Sequence, residues 1–355
     1  MSTTMNNCTK VLVALSGGVD SSVCTHLLQQ QGYYVEGIVL RMSPAHDPVV
    51  LAAQETADAL GIALHVVDAQ EEFSRTVIQH FCREYQNGRT PNPCILCNPL
   101  IKFRLIVEKA EELGFSYIAT GHYADLKTLE NGRIAVCKAS CLKRDQSYML
   151  YRLTQHQLSK LLLPLSHLEK SEVREIAEQA GLPSAKAADS QENCFIPDND
   201  YAAYIEAHDG PGKQGYFLSP EGEIVAPHKG ILHYTVGQRK RLGIALGKPV
   251  FIKSIDAESG NIQLAWGGDE YASGVLLSQM VYQPFETLTQ PISCQVKIRS
   301  MAKDAPATLI PLEDGCAKVL FEQPQRAPAP GQSCVCYDNT GMILGGGFID
   351  TQIES

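Results

Sequence analysis

The amino-acid sequence predicts an α/β protein: a doubly wound parallel-sheet domain first, then a small mainly-β linking domain and a C-terminal antiparallel β-barrel. From residue 11 to about residue 120, β-rich runs alternate with stretches whose apolar residues recur at helical spacing. After about residue 210, glycine and proline recur at short intervals and short apolar runs alternate with turns. The length of 355 residues suits two or three domains of roughly 150 residues each. We expect them to span residues 8–200, 208–272 and 275–353.

The N-terminal alternation defines the individual elements. Strands are predicted at residues 11–16, 34–42, 62–69 and 116–122, and helices at residues 20–31, 49–60, 71–84 and 99–113. Right-handed crossovers then give a parallel sheet with ligands at the carboxyl ends of its strands. Two more helices are predicted at residues 153–163 and 170–181, the second capped by Ser171 and ended by Gly181.

Composition narrows the class of protein and its surroundings. A hydrophobic fraction of 44% with 19% charged residues is typical of a folded globular chain. No apolar run is long enough to span a bilayer and the N-terminus lacks a signal-like apolar segment, so we expect no membrane association and a cytoplasmic location. In that compartment the twelve cysteines are expected to be reduced thiols. The net charge of −9 means that any nucleic-acid binding must come from local basic patches.

A glycine-rich segment, SGGVDSS at residues 16–22, directly follows the first predicted strand. Its glycines can adopt positive φ and lack a Cβ, so the backbone can curl closely around an anion. Its serines and aspartate provide hydroxyls and a cap for the next helix, whose N-terminus favours phosphate. The lysine of a Walker A loop is absent. These residues predict a phosphate-binding loop, and the alternative is an ordinary strand-to-helix turn.

This segment resembles the PP-loop (SGGxDS) of the N-type ATP pyrophosphatases. The resemblance implies an adenine nucleotide α-hydrolase-like domain that uses ATP with Mg²⁺ and releases pyrophosphate when it adenylates a substrate oxygen. By position, the residues implied to bind ATP are Ala14, Leu15, Ser16, Gly17, Gly18, Val19, Asp20 and Ser21.

Two cysteines far apart in the chain lie in unusual surroundings. Pro91 and Pro93 predict a loop before a helix that opens at Pro99, and Cys97 lies just before that helix. Backbone N–H groups there, with Lys102 and Arg104 nearby, would favour the thiolate form of Cys97. Cys194 lies among polar residues in DSQENCFIP, at residues 189–197. Thiols in such loops are candidates for chemistry rather than for core packing.

A series of motifs in one order resembles the tRNA-specific 2-thiouridylases, the MnmA or TrmU family. The motifs are TPNPCILCNPLIKF, ATGHYA, RDQSY, SQENCFI, TVGQRKRLGI and PGQSCVCY, and with the PP-loop they cover residues 10 to 350. The resemblance implies adenylation of the C2 oxygen of a wobble uridine, followed by sulfur transfer that gives 2-thiouridine, AMP and pyrophosphate. Cys194 would carry a persulfide supplied by a cysteine desulfurase or sulfur-relay protein, and Cys97 would form a transient disulfide with it.

The same resemblance implies further ligand contacts. Leu40 and Gly121 match positions that contact ATP. The anticodon arm of tRNA would be bound by two groups of residues: Asn92, Pro93 and Cys94 around the target base, and His122, Arg144, Asp145, Gln146, Arg299, Ser300 and Gln332 elsewhere.

Cys94 departs from the family pattern and leaves alternatives open. Many members carry an aspartate there as a candidate acid or base, and a thiol replaces it only if its pKa is near neutral. Cys94, Cys97 and Cys194 could instead hold three corners of an iron–sulfur cluster, although the sequence predicts no other metal site. Two other functions remain as alternatives: a PP-loop ligase or amidotransferase acting on a small molecule, and a non-catalytic RNA-binding module.

Overall fold

A computed structural model describes residues 9–187 and 193–354 of the chain. The first four residues of the motif DSQENCFIP therefore lie outside the described residues, and Asn193 is its first described residue. The chain forms two compact units. One comprises the chain to Thr76 together with Ile95–Pro197, and the other comprises Val77–Cys94 together with the chain from Asp198.

The first unit is built around a parallel sheet. Its strands are β1 (Lys10–Ala14), β2 (Tyr34–Arg41), β3 (Leu64–Asp68), β4 (Tyr117–Ala119), a separate hairpin of β5 (Ala124–Thr128) and β6 (Ile134–Lys138), and β7 (Leu161–Leu162). The spatial order in the sheet is β3-β2-β1-β4-β7, and every neighbouring pair is parallel. From β1 the chain adds strands on one side, β2 and β3, and from β4 it adds β7 on the other side. Between β1 and β4, where the direction changes, a parallel sheet opens a crevice at the carboxyl ends of its strands.

The helices that connect the strands form where apolar residues recur at helical spacing. They are α1 (Val19–Gln30), α2 (Asp47–Leu60), α3 (Gln70–Phe73), α4 (Gln79–Gln86), α5 (Pro93–Cys97), α6 (Phe103–Glu112), α7 (Gln155–Lys160), α8 (Lys170–Gln179) and α9 (Tyr201–Asp209). In the first unit, α1 and α8 share an apolar cluster to which Val23, Leu165 and Val173 contribute fully buried side chains. The N-termini of both helices are thereby fixed against the same core.

The second unit contains two mainly antiparallel β structures. A four-stranded sheet has the order β10 (Val250–Ile255), β11 (Ile262–Trp266), β8 (Tyr216–Leu218), β9 (Ile224–Pro227), with only the β11–β8 pair parallel. A closed barrel follows, formed by β12 (Tyr271–Tyr282), β13 (Ile292–Lys297), β14 (Ala305–Pro311), β15 (Ala317–Arg326), β16 (Ser333–Tyr337) and β17 (Ile343–Glu354). Closure pairs every strand edge of the barrel. These architectures confirm the predicted fold class.

Local predictions differ from the structure at three places. The helix predicted at residues 153–163 ends at Lys160, because Pro164 disfavours helical backbone and Leu161–Leu162 join the sheet. Ser171 is not the cap of α8: Glu169 is the N-cap, and it forms a reciprocal capping box with Glu172. The helix predicted to open at Pro99 begins earlier, at Pro93.

Within residues 9–187 and 193–354, no helix is both long enough and apolar enough to cross a membrane.

Candidate functional site

The glycine-rich loop closes on itself between β1 and α1. The N–H of Ser16 donates to the Ser21 hydroxyl at 3.1 Å, and the hydroxyls of Ser21 and Ser22 donate to the Gly18 carbonyl at 3.0 and 2.9 Å. We expected a side-chain cap for α1, and that expectation is wrong: the N-cap is Gly18, with no capping side chain among the described residues. The serine hydroxyls turn back to Gly18 instead. The cap position of α1 thus offers backbone N–H groups to an anion.

Gly17 and Gly121 allow backbone segments to approach closely around this loop. Gly17 has φ of +71°, and a Cβ added there would lie 2.4 Å from the Cβ of Ala52 on α2. A Cβ on Gly121 would lie 2.8 Å from the carbonyl carbon of Asp20. The resemblance implied that Gly121 contacts ATP, and the structure gives another reason for a glycine: the chain after β4 lies against the first turn of α1.

Gly17→Ala is expected to destabilise the protein by about 2–5 kcal/mol, because positive φ and overpacking against Ala52 add. Gly18→Ala is the matched control, since its φ is −81° and its added Cβ would lie 3.5 Å from the Ser16 hydroxyl. Thermal unfolding of both variants checks this. Equal melting temperatures for the two variants would contradict the role assigned to Gly17.

The sheet order brings the predicted ATP-binding residues to one edge. The loop follows β1, Gly121 follows β4, and Leu40 lies near the end of β2. Strands β2 and β4 both pair with β1. Leu40 is buried. A nucleotide at this edge would therefore meet the Leu40 backbone rather than its side chain.

Lys170 binds the aspartate of the loop, and sequence reasoning missed it. Its ammonium group donates to both carboxylate oxygens of Asp20, at 2.7 and 2.8 Å, and the Tyr123 hydroxyl donates to the same carboxylate at 2.7 Å. The Lys170 side chain is only 11% exposed. A signal was present in the sequence, because a lysine in the first turn of a helix opposes the helix dipole. The structure places Lys170 at the first position of α8.

The predicted RNA-binding stretch at residues 144–146 is connected to this pair. The Gln146 side chain accepts a hydrogen bond from the Tyr123 N–H at 3.0 Å, and the Gln146 N–H donates to the Tyr123 carbonyl at 2.8 Å. Asp145 accepts hydrogen bonds from Ala139 and Ser147. Arg144 is exposed. Gln146 thus orients Tyr123, and Asp145 stabilises the loop between Ala139 and Ser147.

Cys97 is the last residue of α5 and is buried. Its Sγ lies 3.8 Å from the Sδ of Met42. We expected Cys97 to precede a helix, but Pro93 begins one, as proline can at a first helical position. At Pro99, which lacks an N–H, the helix widens into the π-helical turn Asn98–Lys102. We also expected Arg104 to favour the thiolate, yet its guanidinium already pairs with Glu72 and Glu108.

Cys194 belongs to the same unit as Cys97 and is exposed on a short turn. The Ile196 N–H donates to the Asn193 carbonyl at 3.0 Å. Phe195, which is buried, packs edge-on against Phe73 with ring centroids 5.6 Å apart. The packing on Phe73 anchors Phe195, whereas the thiol of Cys194 stays accessible to solvent.

His122 has its Nδ1 2.8 Å from the Thr120 hydroxyl, and its ring lies 5.8 Å from that of Phe103. Burial lowers the pKa of His122 well below its usual value, and the nearby Lys102 charge lowers it further. The imidazole is therefore uncharged at neutral pH. Any contact of His122 with RNA would be a neutral hydrogen bond or stacking.

The remaining predicted RNA-binding residues lie in the second unit. Asn92 starts α5 by accepting a hydrogen bond from the Cys94 N–H at 3.1 Å, Pro93 is buried, and Cys94 is exposed. Arg299 is exposed beyond the end of β13, and Ser300 follows it. A groove of about 460 Å³ there is lined by Arg299, Met301, Lys303, Gln325 and Arg326, among others. Gln332 donates its side-chain amide to the Thr90 carbonyl at 2.7 Å.

Among the residues that the structure describes, no group of three or more histidine, cysteine or acidic side chains is arranged to hold a metal ion. The iron–sulfur alternative therefore gains no support from this geometry.

A parallel α/β domain with a glycine-rich loop after its first strand, followed along the chain by a closed β-barrel, defines the class of this protein. A family model described as "tRNA methyl transferase HUP domain" matches residues 9–198. The models "tRNA methyl transferase PRC-barrel domain" and "Aminomethyltransferase beta-barrel domain" match residues 203–265 and 274–349.

Curated proteins align with nearly the whole chain. A protein of Acetivibrio thermocellus named "tRNA-specific 2-thiouridylase MnmA" is 42% identical over 355 residues, covering 96% of this chain and 99% of its own length. Proteins of the same name from Clostridium acetobutylicum and Clostridioides difficile are 42% and 41% identical, covering 96% and 97% of this chain and 99% of their own lengths. The chain belongs to the MnmA family of tRNA-specific 2-thiouridylases.

Proposed function

We propose that this chain is a tRNA-uridine 2-sulfurtransferase that adenylates the C2 oxygen of the wobble uridine with ATP and replaces that oxygen by sulfur. The observation that carries the proposal is that one unit contains the glycine-rich loop at the N-terminus of α1, the buried Cys97 and the exposed Cys194. Membership of the MnmA family supports the substrate.

The activation step is assigned to the crevice at the end of β1. Backbone N–H groups from Ser16 to Val19 would cradle the phosphates at the N-terminus of α1. Lys170 would stabilise the negative charge that develops as the uridine oxygen displaces pyrophosphate from the α-phosphorus. Mg²⁺ would be held by the Asp20 carboxylate and would neutralise phosphate charge. Asp20 suits this role because its carboxylate already binds one cation, the Lys170 ammonium group.

The sulfur-transfer step is assigned to Cys97 and Cys194. With a persulfide on Cys194, the Cys97 thiolate attacks the Cys194 Sγ and breaks its bond to the terminal sulfur. The sulfide released then attacks C2 of the adenylated uridine, and AMP leaves with the original oxygen. The Cys97–Cys194 disulfide that remains takes two electrons from an external dithiol. The accessible Cys194 suits loading by a donor protein, and the buried Cys97 suits a protected attack.

The tRNA would be bound by local features of an acidic chain. Arg299 and Lys303 supply positive charge at the barrel groove, where Met301 is 89% exposed. The target uridine must leave the anticodon stack to reach the catalytic residues, and Asn92–Cys94 would receive it. The sulfur donor would be a cysteine desulfurase or a relay protein that carries persulfide. A cytoplasmic location would supply the tRNA and keep the thiols reduced.

Methyl transfer is a second candidate, because two of the matching family models are described as tRNA methyl transferase. It would give no role to the phosphate-binding loop or to the exposed Cys194. A PP-loop ligase acting on a small molecule would use the loop, but would leave the barrel groove without a substrate. Thiolation accounts for the loop, both cysteines and the groove.

Mass spectrometry of tRNA nucleosides tests the proposal. A strain lacking this chain is expected to lack 2-thiouridine at the wobble position, and the wild-type chain is expected to restore it. The Asp20→Asn chain is the control, because its neutral amide lacks the charge that pairs with Lys170 and would attract Mg²⁺, and it should restore little or none. Unchanged 2-thiouridine after deletion, or a methylated uridine in its place, would refute the assignment.

A further inference from the structure

Arg89 and Thr90 are separated only by Pro91 from the residues proposed to receive the target base, Asn92 to Cys94. All of these residues belong to the second unit, together with the barrel. The barrel contacts Arg89 and Thr90 from two of its segments.

The first contact is with the segment that precedes β16. The Thr90 N–H donates to the Pro330 carbonyl at 2.8 Å, and the Gln332 amide donates to the Thr90 carbonyl at 2.7 Å. Both backbone groups of Thr90 are therefore bound by the barrel. Gly331 lies between these contacts, and a Cβ there would be only 2.9 Å from the Thr90 nitrogen. The backbones thus approach as closely as a glycine permits.

The second contact is with β17. The Arg89 guanidinium donates to the Ile349 carbonyl at 3.2 Å and to the Asp350 carboxylate at 3.1 Å. Its Nε donates to Glu84 of α4 at 2.7 Å. The Arg89 side chain is only 26% exposed, so these charged contacts are partly shielded from water. The guanidinium of Arg89 thus links the segment after α4 to α4 itself and to β17, the last strand of the barrel.

We propose that Arg89 and Gln332 are positioning residues, which hold the Asn92–Cys94 segment at the start of α5 in register with the Arg299 groove of the barrel. This inference rests on the proposed function. It gives Gln332 a role that differs from direct RNA contact, because its amide is used to bind Thr90. RNA bound at the Arg299 groove would then meet a target-base loop whose place is set by the same barrel. The consequence is a fixed distance between the two RNA contacts.

Fixing this loop matters because transfer to a flipped base needs close alignment, and a displacement of about 1 Å can cost about 100-fold in rate. The contacts join residues 242 and 261 positions apart in the chain. Local sequence cannot hold such segments together. Pro91 and Pro93 add stiffness, so a shift at Thr90 would be passed on to Cys94 rather than absorbed.

Arg89→Ala and Gln332→Leu test the inference, with Lys253→Ala as the matched control. The Lys253 ammonium group also pairs with β17, because it lies 3.0 Å from the Glu354 carboxylate, and its partner is remote in sequence from Arg89 and Thr90. In the free protein, amide exchange at Thr90 is expected to accelerate at least tenfold in both test variants and not in the control. Single-turnover thiolation with saturating ATP and tRNA should fall by about tenfold or more. The Kd for tRNA should stay within about twofold, because no RNA contact is removed in Arg89→Ala.

Conservative and combined variants separate positioning from general destabilisation. Asp350→Asn keeps an oxygen acceptor for Arg89 and should retain most of the single-turnover rate. Asp350→Leu removes that acceptor and should lower the rate as much as Arg89→Ala does. Arg89→Ala combined with Gln332→Leu should cost less than the product of the single effects, since both act on one loop.

The inference is overturned if Arg89→Ala leaves Thr90 exchange at the wild-type rate, or if it raises the tRNA Kd with an unchanged single-turnover rate. The exchange measurement needs neither ATP nor RNA. Wild-type protein that fails to thiolate tRNA would refute the proposed function, and with it the positioning role, while Thr90 exchange would still report whether the contacts exist.

Discussion

In tRNA from cells whose only copy of this chain carries Cys194→Ser, we expect 2-thiouridine to fall below detection, at least 1,000-fold under the wild-type level. A serine hydroxyl cannot carry a persulfide, so no sulfur reaches the activated base. Phe195 anchors the turn through Phe73, and the substituted side chain is exposed, so the fold should not change. Pyrophosphate release should continue in the variant, because its activation residues are intact. Nucleoside mass spectrometry measures the sulfur-transfer step, and a pyrophosphate assay measures the activation step separately.

Cys97→Ser is expected to give the same loss of 2-thiouridine for a different reason. Persulfide should accumulate on Cys194, because the attacking thiolate is absent. Intact-protein mass spectrometry after incubation with a desulfurase would show one added sulfur on the Cys97→Ser chain and none on the Cys194→Ser chain. Sulfur found on both variants would contradict the order of the two cysteines.

Two other cysteines supply controls. Cys316→Ser changes a thiol whose contact is with the Asp314 carbonyl of its own turn, and should leave thiolation unchanged. Cys94→Asp introduces the residue that the family resemblance implied at this position, and should retain activity. The same variant decides the cluster alternative, since a carboxylate in place of Cys94 would remove one of three thiol ligands. Iron and sulfide bound to wild-type protein and lost from Cys94→Asp would favour the cluster over the disulfide.

Periodicity and turn residues predicted the order of the N-terminal strands and helices because each element expresses its own pattern locally. The alternation from β1 to β4 and the loop SGGVDSS are such local signals. The two-residue strand Leu161–Leu162 was predicted as helix, because its sequence reads as a continuation of α7. Only pairing with β4, more than 40 positions earlier in the chain, makes it a strand. Tertiary contact overrides local propensity at such places.

The candidate site was predictable where one motif contains it and unpredictable where distant residues meet. Asp20 could be identified from its loop, whereas its partner Lys170 lies 150 positions away. The link from Arg89 to Asp350 spans 261 positions and leaves no pattern in either segment. Gly121 illustrates a third case. The sequence singled out this glycine, but it did not predict that the backbone of Asp20 lies too close for any other residue there.

Lys170→Met is expected to lower tRNA-dependent pyrophosphate release by about 100- to 1,000-fold, the range seen when a buried charge-stabilising donor is removed. Its ammonium group is held within 2.8 Å of the loop aspartate, and its side chain is only 11% exposed. Loss of the ion pair should also cost about 1–3 kcal/mol of folding free energy, reduced because Asp20 is partly exposed. Initial rates measured well below the melting temperature separate the two effects.

Three matched variants locate the effect in the charge of Lys170. Lys170→Arg keeps a cation beside Asp20 and should recover part of the rate. Tyr123→Phe removes one hydrogen bond to Asp20 and should cost about tenfold or less, since the ion pair remains. Lys160→Met removes a lysine of the same unit whose partner is the surface residue Glu111, and should change nothing. A Lys170→Met enzyme with the wild-type kcat/KM for ATP would mean that the lysine contributes only to folding stability, because transition-state stabilisation cannot be lost without lowering that ratio.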